Sequence, residues 1–199
     1  MMMAVGNSDH IIERMVSIVK SMVPGTHIGP VISAEAKARI ESYITEAEKM
    51  GATILVDGRG YKVKGKENGY YVGPTLIDHV TPDMRIAQEE VFGPVLVIIR
   101  TPDIKGAMAV ENASPYGNAA SVFTESGGVA RYVMEHATAG MVGVNVGVPV
   151  PREPFSFGGW GESRFGVGDI TGRGSIEFWT QSKKMTTKWN REAGTNWMS

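Results

Sequence analysis

Two adjacent carboxylates, Glu89 and Glu90, lead through Val91 to an aromatic residue, Phe92. A Gly93-Pro94 turn and an apolar run from Val95 to Ile99 follow at once. An ionised carboxylate at the mouth of a buried strand accepts strong charge-assisted hydrogen bonds, and ligand hydroxyls are suitable donors. The same residues also suit a solvated acid pair and a core phenylalanine, and spacing alone leaves both readings open. A second aromatic, Phe157, precedes Gly158-Gly159, where simple packing of the loop is the reading its position alone supports. Nucleophilic chemistry has less to work with. The chain has no cysteine, which removes thiol nucleophiles, thiolate metal sites and disulfides. His10, His27, His79 and His136 lack metal-ligand spacing, so ordinary surface or core roles are expected and no metal. The glycine-rich run from Gly166 to Gly174 has the composition of a phosphate cradle. It is expected neither to follow a strand nor to open a helix, which such a cradle requires.

These side chains need a framework, and the pattern is α/β. The 199 residues are 42% hydrophobic and 21% charged, proportions of a soluble globular protein. A net charge of −1 gives no reason to expect nucleic acid or a membrane surface as partner. No apolar run is long enough to span a bilayer. The first residues have no basic region and no signal-like apolar stretch, so a cytoplasmic location is expected.

Ile11, Met15 and Val19, with Ile12 and Val16, mark a helix capped by Ser8 or Asp9 and ended by Pro24-Gly25. Ser33 is placed to cap a second helix whose apolar face is Ala36, Ile40, Ile44 and Ala47, with Gly51 closing it. Strands are expected at Thr53–Val56, Val95–Ile99, Ala119–Thr124 and Met141–Val146. Thr101-Pro102 and Ser126 are expected to start the helices between the last three, and Gly140 to close the second of these. This β-α-β-α-β order predicts parallel strands with right-handed crossovers. Val148 to Gly174 reads as an irregular, aromatic-bearing loop. Ile176 to Thr187 reads as a last strand with an open edge, which would pair with another chain.

Several stretches occur together in the order of one family. They are Ile28-Gly29-Pro30-Val31-Ile32, Gly73-Pro74-Thr75-Leu76, Glu89-Glu90-Val91-Phe92-Gly93-Pro94-Val95, Pro115-Tyr116-Gly117, Val122-Phe123-Thr124, Gly143-Val144-Asn145-Val146 and Phe157-Gly158-Gly159. With them the chain resembles the NAD(P)-dependent aldehyde dehydrogenases over nearly its whole length. Lys64 to Gly69, Val144 to Pro151 and Phe155-Ser156-Phe157 resemble most the CoA-acylating branch that acts on methylmalonate semialdehyde.

The resemblance implies an aldehyde-dehydrogenase-like catalytic domain over residues 1–175, in its C-terminal portion, and a C-terminal oligomerisation strand and tail over 176–199. It implies NAD as cofactor, an aldehyde as substrate, CoA as co-substrate and a homo-oligomer. By motif position, Glu90 would accept hydrogen bonds from the nicotinamide ribose, Phe92 would lie beside the nicotinamide ring, and Phe157 would line the aldehyde tunnel. The family's cysteine nucleophile has no counterpart here, so no catalytic residue is assigned. The expectation is therefore a C-terminal part of such an enzyme, inactive alone. The alternatives are a non-catalytic assembly module and a fragment of a hydrolytic aldehyde dehydrogenase.

Overall fold

The computed structural model describes residues 1–188 except 153, 167 and 170. Its chain falls into two units: residues 1–115 with 122–138, and residues 116–121 with 139 onward. Residues 189–199 of the expected tail lie outside the described residues.

The first unit is built on a four-stranded sheet. Its strands are β1 (Met2–Val5), β2 (Thr53–Val56), β3 (Thr75–Asp78) and β4 (Val95–Thr101), in the order β1-β4-β3-β2. β4 runs parallel to both neighbours, with Met2 opposite Ile98 and Thr75 opposite Val95. β2 is antiparallel to β3. Alternation along the strands splits the core in two. Ile77, Val97 and Ile99 pack with Ile40, Tyr43, Ile44 and Ala47 of helix α2 (Ala34–Lys49). Ala4, Leu76 and Ile98 face the other way, onto Ile12, Met15, Val16 and Val19 of helix α1 (Asp9–Ser21).

Local chemistry explains the helix ends. Ser33 Oγ accepts the Ala36 N–H at 3.1 Å, the expected cap. At the other end Gly51 has φ +101°, and the N–H groups of Gly51 and Ala52 donate back to Glu48 and Ala47 at 3.0 Å each. That is a Schellman closure, which favours glycine at this position. α1 differs from expectation. Ser8 stands at its N-cap but makes no side-chain cap bond; its hydroxyl donates to the Gly6 carbonyl at 3.4 Å. After β3 comes the single turn α3 (Arg85–Gln88). Helix α4 (Ile104–Asn112) is capped by Asp103, whose Oδ1 accepts the Gly106 N–H at 2.8 Å. Thr101-Pro102 was the expected start, but Thr101 still belongs to β4 and is buried there.

Two polar features hold the sheet. Asp78 is buried in β3, and its carboxylate accepts from Arg100 Nε and Nη2 at 2.8–3.1 Å and from the His79 N–H at 2.7 Å. Arg100 reaches on to Asp9 at 2.6 Å, tying α1 to β4 and β3. Beyond β2, Gly58 crosses the segment leading into β3. Its N–H donates to Thr75 Oγ1 at 3.0 Å, and the Gly73 N–H donates to its carbonyl at 2.8 Å.

In the second unit, β5 (Tyr116–Gly117) pairs antiparallel with β8 (Trp160–Gly161), and β6 (Ala119–Val122) pairs with β7 (Met141–Val144). The sequence order predicted that the strands at 95, 119 and 141 would share one parallel sheet. Instead β1 and β3 take both edges of β4, and β6 and β7 form a sheet of their own. α5 (Gly127–His136), between them in sequence, belongs to the first unit and is capped by Ser126 Oγ on the Val129 N–H at 3.3 Å. Gly140 does not close α5, which ends at His136. It lets two backbones pass, since a Cβ there would lie 2.4 Å from the Gly158 carbonyl oxygen.

The expected last strand is also corrected. Residues Gly172–Trp179 form helix α6, and residues 180–188 carry no regular structure. Ile176, Phe178 and Thr180 alternate like a strand, but Ile176 and Trp179 also lie one helical turn apart. A helix satisfies its own backbone donors, whereas a strand needs a neighbour. Among the described residues no helix is long and apolar enough to cross a membrane.

Candidate cofactor site

The loop from α3 to β4 carries the carboxylate pair, and the structure separates its two members. Glu89 is committed internally. Arg85 grips it through Nε at 2.8 Å and Nη2 at 3.1 Å, and the Tyr43 hydroxyl donates to its Oε2. Tyr43 is buried on α2, and the Arg85 guanidinium lies 4.5 Å over its ring. The Arg85 hydrogen bonds, followed by that of Tyr43, hold the Glu89 carboxyl down at about 2. The Glu89 hydrogen bond in turn raises the Tyr43 phenol.

Glu90 is exposed and makes no side-chain hydrogen bond or ion pair among the described residues. Phe92, two residues on, is 75% exposed. Its φ is +53°, a left-handed conformation that costs an L-residue roughly 1–2 kcal/mol. Glu90 and Phe92 both line a recess of about 280 Å³, together with Ile86, Val91, Val95 and Met1. A free carboxylate and an exposed ring thus share one concave surface. The first can accept from vicinal hydroxyls, and the second can lie against a flat heteroaromatic ring.

Sequence reasoning missed Tyr43 and Arg85. The i,i+4 spacing of Arg85 and Glu89 was a legible signal. So was a tyrosine on the buried face of α2, because its hydroxyl must find a partner.

Phe157 belongs to the second unit. It is half-exposed, and its N–H donates to Thr171 Oγ1 at 2.8 Å. A neighbouring apolar groove of about 530 Å³ is lined by Val142, Val144, Val148, Pro149 and Phe155, and Phe157 is not part of that lining. The glycine-rich run does open a helix, contrary to expectation, since α6 begins at Gly172. Its start is occupied by the chain itself: the Arg173 N–H donates to the Pro154 carbonyl at 3.4 Å. Among the described residues no three His, Asp or Glu side chains converge on a point that could hold a metal.

The profile of the aldehyde dehydrogenase family matches residues 6–185. The chain belongs to the aldehyde dehydrogenase family. Among curated relatives, the malonate-semialdehyde dehydrogenase of Pseudomonas aeruginosa is 40% identical over 192 residues, covering 94% of this chain and 39% of that enzyme. The acylating methylmalonate-semialdehyde/malonate-semialdehyde dehydrogenase of Homo sapiens mitochondria is 45% identical over 172 residues, covering 86% of this chain and 32% of that one. Among solved structures, the methylmalonate-semialdehyde dehydrogenase of Oceanimonas doudoroffii superposes with a TM-score of 0.91 at 41% identity, over 96% of this chain and 41% of that chain. An aldehyde dehydrogenase of Mycobacterium tuberculosis solved with NAD+ superposes at 0.78 with 30% identity, over 90% and 38% of the two chains. This aldehyde dehydrogenase chain therefore spans well under half the length of the relatives it matches. The residues present fit the ribose and nicotinamide end of a dinucleotide, because an unpartnered acceptor and an exposed ring stand side by side.

Proposed function

We propose that this chain forms the nicotinamide side of an aldehyde dehydrogenase of the CoA-acylating kind, acting on malonate or methylmalonate semialdehyde. The observation that carries the reading is the division of labour between the two acids: Glu89 is held by Arg85 and Tyr43, and Glu90 is left free on the recess. When bound, NAD supplies the hydride acceptor. Glu90 would accept hydrogen bonds from the ribose hydroxyls and fix the sugar's orientation. Phe92, left-handed in its backbone and 75% exposed, would offer its ring to the nicotinamide. Phe157 would line the path taken by the aldehyde. CoA, as acyl acceptor, is supported by the names of the relatives. The attacking thiol must come from outside these residues, since none of the 199 is cysteine.

The test is binding of nicotinamide mononucleotide to the purified chain, read by saturation transfer to its ring protons. Glu90→Gln should weaken binding by about 1–2 kcal/mol, roughly tenfold, because a charged hydrogen-bond acceptor becomes neutral. Glu13→Gln, on the exposed face of α1, should leave it unchanged. Equal affinities for the two variants would sink the assignment. The chain alone should also reduce no NAD with malonate semialdehyde; sustained growth of NADH absorbance would overturn that expectation.

The missing thiol also favours a second reading, a non-catalytic assembly module. We propose that in either case the chain is a homo-oligomer. Its second unit leaves Phe155, Phe165, Trp179 and Met185 between 72% and 97% exposed, and such apolar surfaces mark interaction sites. Residues 180–188, which carry no regular structure, are of the extended kind that can add to a sheet edge of another copy. Light scattering should give a multimer that moves toward monomer when residues 176–199 are deleted. A stable monomer for the intact chain would refute the idea.

A further inference from the structure

The loop that carries Glu90 and Phe92 is fastened to α2 at two points, one on each side of them. On the near side, Glu89 is bound by the Tyr43 hydroxyl of α2 and by Arg85 of α3. On the far side, Gly93 is pressed against Ile40 of α2, so closely that a Cβ at Gly93 would lie 2.7 Å from Ile40 Cδ1. Ile40 and Tyr43 are both buried and lie three residues apart on one helix face. Between the fastenings stand only Glu90, Val91 and Phe92, the last in its left-handed conformation.

We propose that Tyr43, with Arg85 and Glu89, is a positioning device for the recess. It sets where the free Glu90 carboxylate stands, and it makes no ligand contact itself. This rests on the reading of the recess given above. A phenylalanine would fill the same buried position, so packing does not explain why a tyrosine, whose hydroxyl then needs a partner, stands here. The bond to Glu89 does explain how a loop with an exposed acid and an exposed ring keeps one geometry. Arg85 contributes from the solvent side. Its guanidinium holds both Glu89 oxygens and covers the Tyr43 ring, so that Glu89, although it also lines the recess, has its oxygens already engaged, while Glu90 does not.

The experiment is a double-mutant cycle on nicotinamide mononucleotide affinity in the full 199-residue chain, with thermal midpoints measured alongside. Tyr43→Phe removes only the hydroxyl and should weaken binding about three- to fivefold. Arg85→Met, at a half-exposed position, should do the same and serves if Tyr43→Phe folds poorly. In a Glu90→Gln background neither substitution should weaken binding further, because each acts through Glu90. Ile12→Val, on the opposite face of the sheet, should lower the thermal midpoint without changing affinity, which separates positioning from stability. If Glu90→Gln weakens binding while Tyr43→Phe and Arg85→Met bind like the parent, or if their effects simply add to that of Glu90→Gln, the positioning role is overturned alone. If Glu90→Gln itself binds like the parent, the reading of the recess falls and this role with it.

Discussion

Replacing Gly58 by alanine should cost about 3 kcal/mol of stability, at the upper end for an overpacked site. Gly58 is not a left-handed glycine; the constraint is space. A Cβ there would lie 1.9 Å from the Gly73 carbonyl oxygen and 2.3 Å from its carbon. These are backbone atoms, so no side-chain rotation relieves the clash. The two segments are also fastened to each other, by Gly58 N–H to Thr75 Oγ1 and Gly73 N–H to Gly58 O. Moving them apart breaks both bonds at the entry to β3, whose four residues are all buried. In a chain of this size such a loss lowers the thermal midpoint by roughly 6–12 °C. Gly29→Ala, where nothing lies within 4 Å of the added carbon, is the control. Indistinguishable melting curves for the two variants would show that the close passage is not a constraint.

The second large effect is expected at Asp78. Its alanine variant should lose roughly 2–3 kcal/mol, since charge-assisted hydrogen bonds are broken and Arg100 keeps only Asp9. The loss should also depend on pH. Burial pushes the Asp78 carboxyl upward, but the Arg100 hydrogen bonds, the His79 N–H and the nearby positive charge outweigh it, and the net shift is downward. A depressed carboxyl in the folded state stabilises above the unfolded value of about 3.9 and loses that contribution as the pH falls below it. The gap between parent and Asp78→Ala should therefore be full near neutrality and shrink below about pH 4. Glu89, also held low, leaves part of the acid slope in the variant. Urea midpoints from pH 7 to pH 3 measure this, and a gap that widens toward acid would contradict the argument.

Local signals were legible and partnerships were not. The caps at Ser33 and Ser126 and the closure at Gly51 depend on bonds spanning a few residues, so the sequence announces them. The family and its α/β class were legible because many short stretches occur together in order, and the family profile bears this out. The strands at 95, 119 and 141 were recognised, yet their partners were not, because register is decided across the sheet. β4 pairs with a strand almost a hundred residues away. The helix at Gly172–Trp179 was misread because the same few apolar residues satisfy both periods. At the site, Glu89 and Glu90 are chemically identical in sequence. Arg85, four positions before Glu89, and Tyr43, 46 positions away, tell them apart, and only the first is legible as local spacing.

The parallel pairing of Met2–Val5 with Ile98–Thr101 also bears on how the chain reaches its fold. Closing a loop of that length costs roughly 4 kcal/mol of chain entropy, so this contact waits on others that reward it sooner. The antiparallel β2–β3 pair and the neighbouring β3–β4 pair close shorter loops and come first. On a ribosome adding 5–20 residues per second, β1 emerges roughly 5–20 s before β4 exists to receive it. During that interval Met2, Met3, Ala4 and Val5 present an apolar strand with both edges open. A holdase that binds short extended apolar segments would find its best substrate there, and slowing translation between residues 6 and 94 would lengthen the period of risk.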